Sequence, residues 1–160
     1  MPPARAFSLP PDGRQSDAAL AICLGTRRLL ASYSFSSLTE VTLANGRRAD
    51  ILGLGPDGEI WIVEVKSSVA DFRADGKWPE YRDFCDRLFF AVDPDFPVAV
   101  LPEAAGLVVA DAYGAAILRE APEHRLPGPR RKAVILRLAH VAAGRLHLLA
   151  DPQGAGGRMG

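Results

Sequence analysis

Ala49-Asp50-Ile51-Leu52-Gly53-Leu54-Gly55-Pro56-Asp57-Gly58-Glu59-Ile60-Trp61-Ile62-Val63-Glu64-Val65-Lys66 reads as two apolar strands joined by Pro-Asp-Gly, with charges set into them. Thirteen residues separate Asp50 from Glu64, and Lys66 follows two positions later. Side chains alternate along a strand, so Ile60, Ile62, Glu64 and Lys66 share one face, and Trp61, Val63 and Val65 the other. Both faces are apolar apart from the two charges, which marks a central strand covered on both sides. A three-residue Pro56-Asp57-Gly58 loop, with Gly58 left-handed, pairs Gly55 with Glu59. Counted back along the ladder, that register sets Asp50 directly opposite Glu64. A two- or four-residue loop would turn Asp50 to the other face.

Opposed carboxylates on a half-buried face repel, and one would normally take up a proton. A hard divalent cation, Mg²⁺ or Mn²⁺, removes the conflict. Lys66 lies roughly 6.6 Å further along the same face, placed to hold a metal-bound water or to steady charge on a phosphate. The Val65 carbonyl offers a further metal ligand. The competing reading is structural: an isolated Asp…Glu-x-Lys triplet commonly marks solvated strand ends, whose surface pairs are worth under about 1 kcal/mol. The apolar neighbours of the charges weigh against it.

Outward from this hairpin, Leu20, Cys23, Leu24 and Leu30 recur at helical spacing over about 16–32, with Ser16 or Asp17 as cap. Strands are predicted at 38–43, 48–54 and 59–66, the first two joined by the Ala44-Asn45-Gly46-Arg47 turn. A polar helical region at about 69–86 must break or restart at Pro79. Strands follow at 88–92, 98–101, 106–110 and 115–119. The last helix, over 132–149, places Val134, Ile135, Leu138, Val141, Leu146 and Leu149 broadly on one face. The Pro- or Gly-rich ends, 1–14 and 152–160, read as loose tails around one domain at 15–150. The expected fold class is α/β, a mixed β-sheet flanked by helices.

Lys plus Arg and Asp plus Glu both number 19 among 160 residues, so the global charge announces no polyanion, although a local basic patch is compatible with it. Cys23 and Cys85 stand in apolar helical contexts and read as free buried thiols. No apolar run approaches the roughly 18 residues of a bilayer span. With four prolines before residue 12, the start lacks the apolar core of a signal peptide. A cytoplasmic protein without a membrane partner is expected. Oligomeric state is undecided, with a homodimer left open.

Asp-x13-Glu-Val-Lys across a hairpin, after a helix, resembles the PD-(D/E)XK nuclease superfamily. More narrowly, Thr42–Asp50, Glu64–Ser68 and Asp71–Tyr81 resemble the MmcB-like DNA repair family. The resemblance implies a restriction-endonuclease-like core and metal-dependent hydrolysis of DNA phosphodiesters in a damage response. It maps the metal-binding acids onto Asp50 and Glu64 and the superfamily lysine onto Lys66. Ala49 stands where the superfamily name has proline, and the first helix lacks the Glu that many members carry there. Glu40 is the nearest earlier acid and a candidate further ligand. Arg48, Ser67, Arg73, Lys77 and Tyr81 are candidate nucleic-acid contacts, with core anchoring and surface pairing as the alternatives for Tyr81 and Lys77. Asp71 and Asp75 read as caps, or as partners of Arg73 and Lys77. A non-catalytic DNA-binding or partner-binding scaffold is the rival function, and hydrolysis of RNA stays open.

Overall fold

The Ser16 hydroxyl accepts the Ala19 N–H at 3.1 Å and starts α1 (Asp17–Ser32). This is a computed structural model, and it describes residues 16–153. The expectations for 1–14 and 154–160 lie outside the described residues. After α1 come β1 (Ser36–Thr42), β2 (Arg48–Leu54) and β3 (Ile60–Val65). Next are α2 (Val69–Ala74), a 3-10 segment (Trp78–Phe84), β4 (Arg87–Val92), β5 (Gly106–Ala110), β6 (Ala115–Arg119) and α3 (Gly128–Ala150). The six strands form one sheet in chain order: β1–β2–β3 and β5–β6 are antiparallel, and β3–β4–β5 parallel. This is the mixed sheet flanked by helices.

Turn chemistry sets the registers. Gly58 adopts φ +88°, and the Gly55 N–H donates to the Glu59 carbonyl at 2.8 Å, closing the three-residue loop. Leu54 then pairs with Ile60 and Ile51 with Val63. Gly46, at φ +83°, does the same for the preceding hairpin, where Leu43 N–H bonds the Arg47 carbonyl. Pro79 sits in the first turn of its 3-10 segment, where a missing N–H costs nothing, and splits the polar region into two pieces.

One face of the sheet, including Leu52, Ile60, Ile62 and Leu88, packs on Tyr81, Phe84, Leu126 and Val134. The other, with Ile51, Trp61, Val63 and Phe89, packs on Ile22 and Leu30 of α1. Phe72 and Trp78 meet the Phe90 ring edge-on at 5.4 and 5.5 Å, so these two aromatics are core anchors.

Four expectations are corrected. Val98–Val100 is a 3-10 turn rather than a strand. It lies between Pro97 and Pro102, and β4 already has β3 and β5 on its two edges. α3 begins at Gly128 rather than 132, because Pro129 fits a first turn. Its apolar residues do not share one buried face. Val134 is buried, and Ile135 and Leu138 pack on the same cluster, but Leu146 is 67% and Leu149 55% exposed. By length and composition α3 also passes as a membrane-length helix, contrary to the reading of the sequence. Its Arg131 and Arg145 nevertheless bond to the body of the domain.

Candidate metal and phosphate site

Glu64 and Lys66 stand at the end of β3, where it parts from β2. Regular pairing stops at Ile51↔Val63. One residue on, Asp50 Oδ2 accepts the Val65 N–H at 2.8 Å, so a side chain replaces the next backbone bond. The opening is prepared on β1. Thr39 and Val41 pair with Ile51 and Ala49, but Glu40 between them adopts φ +54°. A left-handed non-glycine residue carries strain that its surroundings must hold in place. Arg145 of α3 supplies the clamp, donating to the carbonyls of Thr39 and Glu40.

The acids meet as the register predicts. Glu64 is 2% exposed, and its Oε1 is buried without a hydrogen-bond partner. Burial first, and then the charge of Asp50, push its carboxyl well above the usual carboxylate range, against the pull of Lys66. An unsatisfied buried acceptor costs about 1–3 kcal/mol. Lys66 is 5% exposed and donates to Asp75 Oδ2 at 2.9 Å. Burial by itself would lower the ammonium pKa, but Asp75, Glu64 and Asp71 outweigh it and hold it above its ordinary value.

In the sequence Asp75 reads as a cap or as a partner of Arg73 or Lys77. It bonds Lys66 through one oxygen and the Lys77 N–H, at 3.3 Å, through the other. Asp71 sits in the first turn of α2 rather than capping it: Ser68 is the cap and accepts the Asp71 N–H, and the Asp71 carboxylate accepts the Ser67 N–H at 3.0 Å. The Ser68-x-x-Asp71 spacing carried that signal. Arg145 had no such signal, since it acts across 105 positions on backbone groups.

The expected nucleic-acid contacts are not one surface. Arg73 and Lys77 are exposed beside the site. Ser67 is held by Asp71, and Arg48 Nε lies 2.6 Å from Glu40 Oε2. The Tyr81 expectation is corrected: its ring is 6% exposed, and its hydroxyl donates to the Arg48 carbonyl at 3.0 Å. It is a roof over the acids rather than a platform for a base. Across the sheet, α1 brings Cys23 within reach of the charges of Asp50 and Glu40. Burial raises its thiol to about 11, with Arg27 opposing and Asp50 and Glu40 adding to it.

Among the described residues, no three His, Cys, Asp or Glu side chains cluster as a ready-made metal cage. Two carboxylates beside one another, one with an orphaned buried oxygen, still suit a single hard cation. Glu40, as a third acid ligand, would have to give up Arg48.

The fold is that of an α/β protein with a mixed sheet, and the comparisons add its family. The model of the MmcB-like DNA repair proteins matches residues 8–153, and the chain belongs to that family. A solved protein of unknown function from Silicibacter pomeroyi is 48% identical, with TM-score 0.84, over 88% of this chain and 96% of its own. A repair endonuclease from Pyrococcus abyssi is 17% identical, with TM-score 0.35, over 51% of this chain and 39% of its own, too slight a likeness to reason from. No curated protein matches.

Proposed function

We propose that this protein hydrolyses phosphodiester bonds of DNA in repair, at Asp50, Glu64 and Lys66, by PD-(D/E)XK-type metal-dependent chemistry. The observation that carries the reading is the buried, partnerless Glu64 Oε1 beside Asp50. Evolution seldom leaves such an atom without a ligand to meet it. Asp50, Glu64 and the Val65 carbonyl would hold one Mg²⁺ or Mn²⁺. Bound there, the ion would polarise the phosphate and lower the pKa of a water. Asp50, through its bond to the Val65 N–H, fixes the angle between β2 and β3 and so the spacing of the acids. Lys66, kept charged by Asp75, supplies a fixed positive group for the negative charge that grows on the phosphate oxygens. Tyr81 and the 3-10 segment exclude water from one side.

Asp50→Ala, Glu64→Ala and Lys66→Ala should each abolish divalent-dependent cleavage of labelled duplex and single-stranded DNA, with the fold kept by circular dichroism. Wild-type cleavage by Glu64→Ala would end the proposal. The same assay on RNA of identical sequence decides the sugar. One observation favours a scaffold instead: α1 carries no glutamate, and its Cys23 lies near enough to feel the charges of Asp50 and Glu40. Salt-sensitive DNA binding without any uptake of Mg²⁺ or Mn²⁺ would mark that alternative.

A further inference from the structure

A pocket of about 550 Å³ lies between the 3-10 segment, the 124–127 link and the start of α3, lined by Arg82, Asp83, His124, Arg125, Leu126 and Arg130. Arg47, Arg48, Arg87 and Arg131 meet the acids Glu80, Glu40, Glu59 and Asp86, whereas Arg28, Arg119 and Arg145 donate to backbone carbonyls away from the lining of this pocket. None of Arg82, Arg125 and Arg130 has an ion-pair partner among the described residues. Asp83 is the one acid against three guanidiniums in the lining. Two of the three are also held in place. Arg82 stacks over Trp78 at 5.5 Å, donates to the Ala104 carbonyl and points Nη1 at His124 Nε2, 2.6 Å away. Arg130 stacks over Phe84 at 4.8 Å. Guanidiniums that outnumber the acid around a concavity, two of them held in place, are suited to the planar, bidentate recognition of a phosphate.

The place of the pocket matters as much as its charge. His124 N–H bonds the Asp86 carbonyl, and Asp86 N–H bonds the Ile60 carbonyl, so the pocket sits at the first residue of β3. Glu64 is four residues further on, roughly 13 Å along the strand. The 3-10 segment bridges the two: Tyr81 roofs the acids and Arg82 lines the pocket.

We infer that this pocket is a second phosphate-binding site, which grips a DNA backbone phosphate a short way along the nucleic acid from the bond held at Asp50 and Glu64. The inference rests on the proposed function for its choice of DNA. The shared chemistry, a phosphate dianion or diester, could equally be presented by a free phosphomonoester, and the test separates the two.

Arg125→Ala/Arg130→Ala removes two of the guanidiniums and leaves Arg82 in its contacts. Its affinity for a labelled 20-mer duplex and for inorganic phosphate should be measured against wild type and Glu64→Gln, in EDTA, across a salt series. The double variant should bind duplex about tenfold or more weakly at low salt, with the log–log salt slope smaller by about 1–2, while Glu64→Gln keeps the slope. Unaltered duplex affinity and slope in a folded double variant would overturn the pocket and leave the nuclease reading standing. If wild type ignores DNA but binds inorganic phosphate, and the double variant does not, the pocket stands as a phosphomonoester site and the DNA reading falls. Absence of binding to both ligands overturns the inference.

Discussion

Glu64 is the residue on which stability and activity pull apart. Its charge sits behind apolar strands, with one oxygen unpaired and Asp50 beside it. A site arranged to hold a cation is a strained site without one. Glu64→Gln should therefore raise the thermal midpoint of the metal-free protein, by about 2–4 °C for about 1 kcal/mol regained, while abolishing cleavage. Differential scanning fluorimetry in EDTA reads this, and a lower midpoint would show that the buried charge is not a cost. The triplet Asp50, Glu64 and Lys66 was legible because strand alternation and a glycine turn are local rules. Lys66's true partner was not, because Asp75 reaches it from beyond α2, and nothing at nine residues' spacing marks that pair.

At the scale of elements, α1 and the β5–β6 turn meet at close range. A Cβ on Gly25 would lie 2.0 Å from the Asp111 carbonyl and 2.5 Å from that of Gly114, both backbone atoms that cannot swing away. Arg28 reinforces the contact by donating to the carbonyls of Ala112 and Tyr113 at 3.2 Å. Gly25→Ala should cost about 1–3 kcal/mol in urea unfolding. An unchanged midpoint would mean that the turn is not seated on the helix. Helix periodicity found α1 and the turns found β2 and β3, but they said nothing of this seat. The lesson of α3 is similar. Its apolar residues occur at helical spacing, yet Val134, Ile135 and Leu138 pack on the core and Arg145 reaches β1. Leu146 and Leu149 stay exposed, as a one-dimensional pattern cannot foresee.

Across the whole molecule, Asp86 ties α3 to the sheet. It receives Arg131 through both oxygens at 2.6 Å, and the N–H groups of Ile60 and Leu126 at 2.7 and 2.8 Å. Burial alone would raise its pKa, but Arg131 and the two backbone donors outweigh it and hold the carboxyl below the usual range. A group whose folded pKa is depressed adds stability that is present above the unfolded value, near pH 4, and lost as pH falls through the folded one. Asp86→Asn leaves Arg131 unpaired and should cost about 3–5 kcal/mol at neutral pH. The difference from wild type should shrink below about pH 4. A constant difference down to acid unfolding would deny Asp86 that role.

The sequence by itself determined the strands around the two glycine turns, the opposition of Asp50 to Glu64, and the kinship with MmcB-like proteins. Turns and alternation act over a few residues, and a long composite motif is a local text. Tertiary structure decided what those charges meet: Asp75 on Lys66, Arg145 beneath the strained Glu40, and Tyr81 turned inward over the acids. It also set Arg82, Arg125 and Arg130 around one pocket, with Asp83 as the one acid in its lining. These outcomes depend on which distant segments the closed sheet brings within a few ångströms, and electrostatics at that range has no counterpart in spacing along the chain.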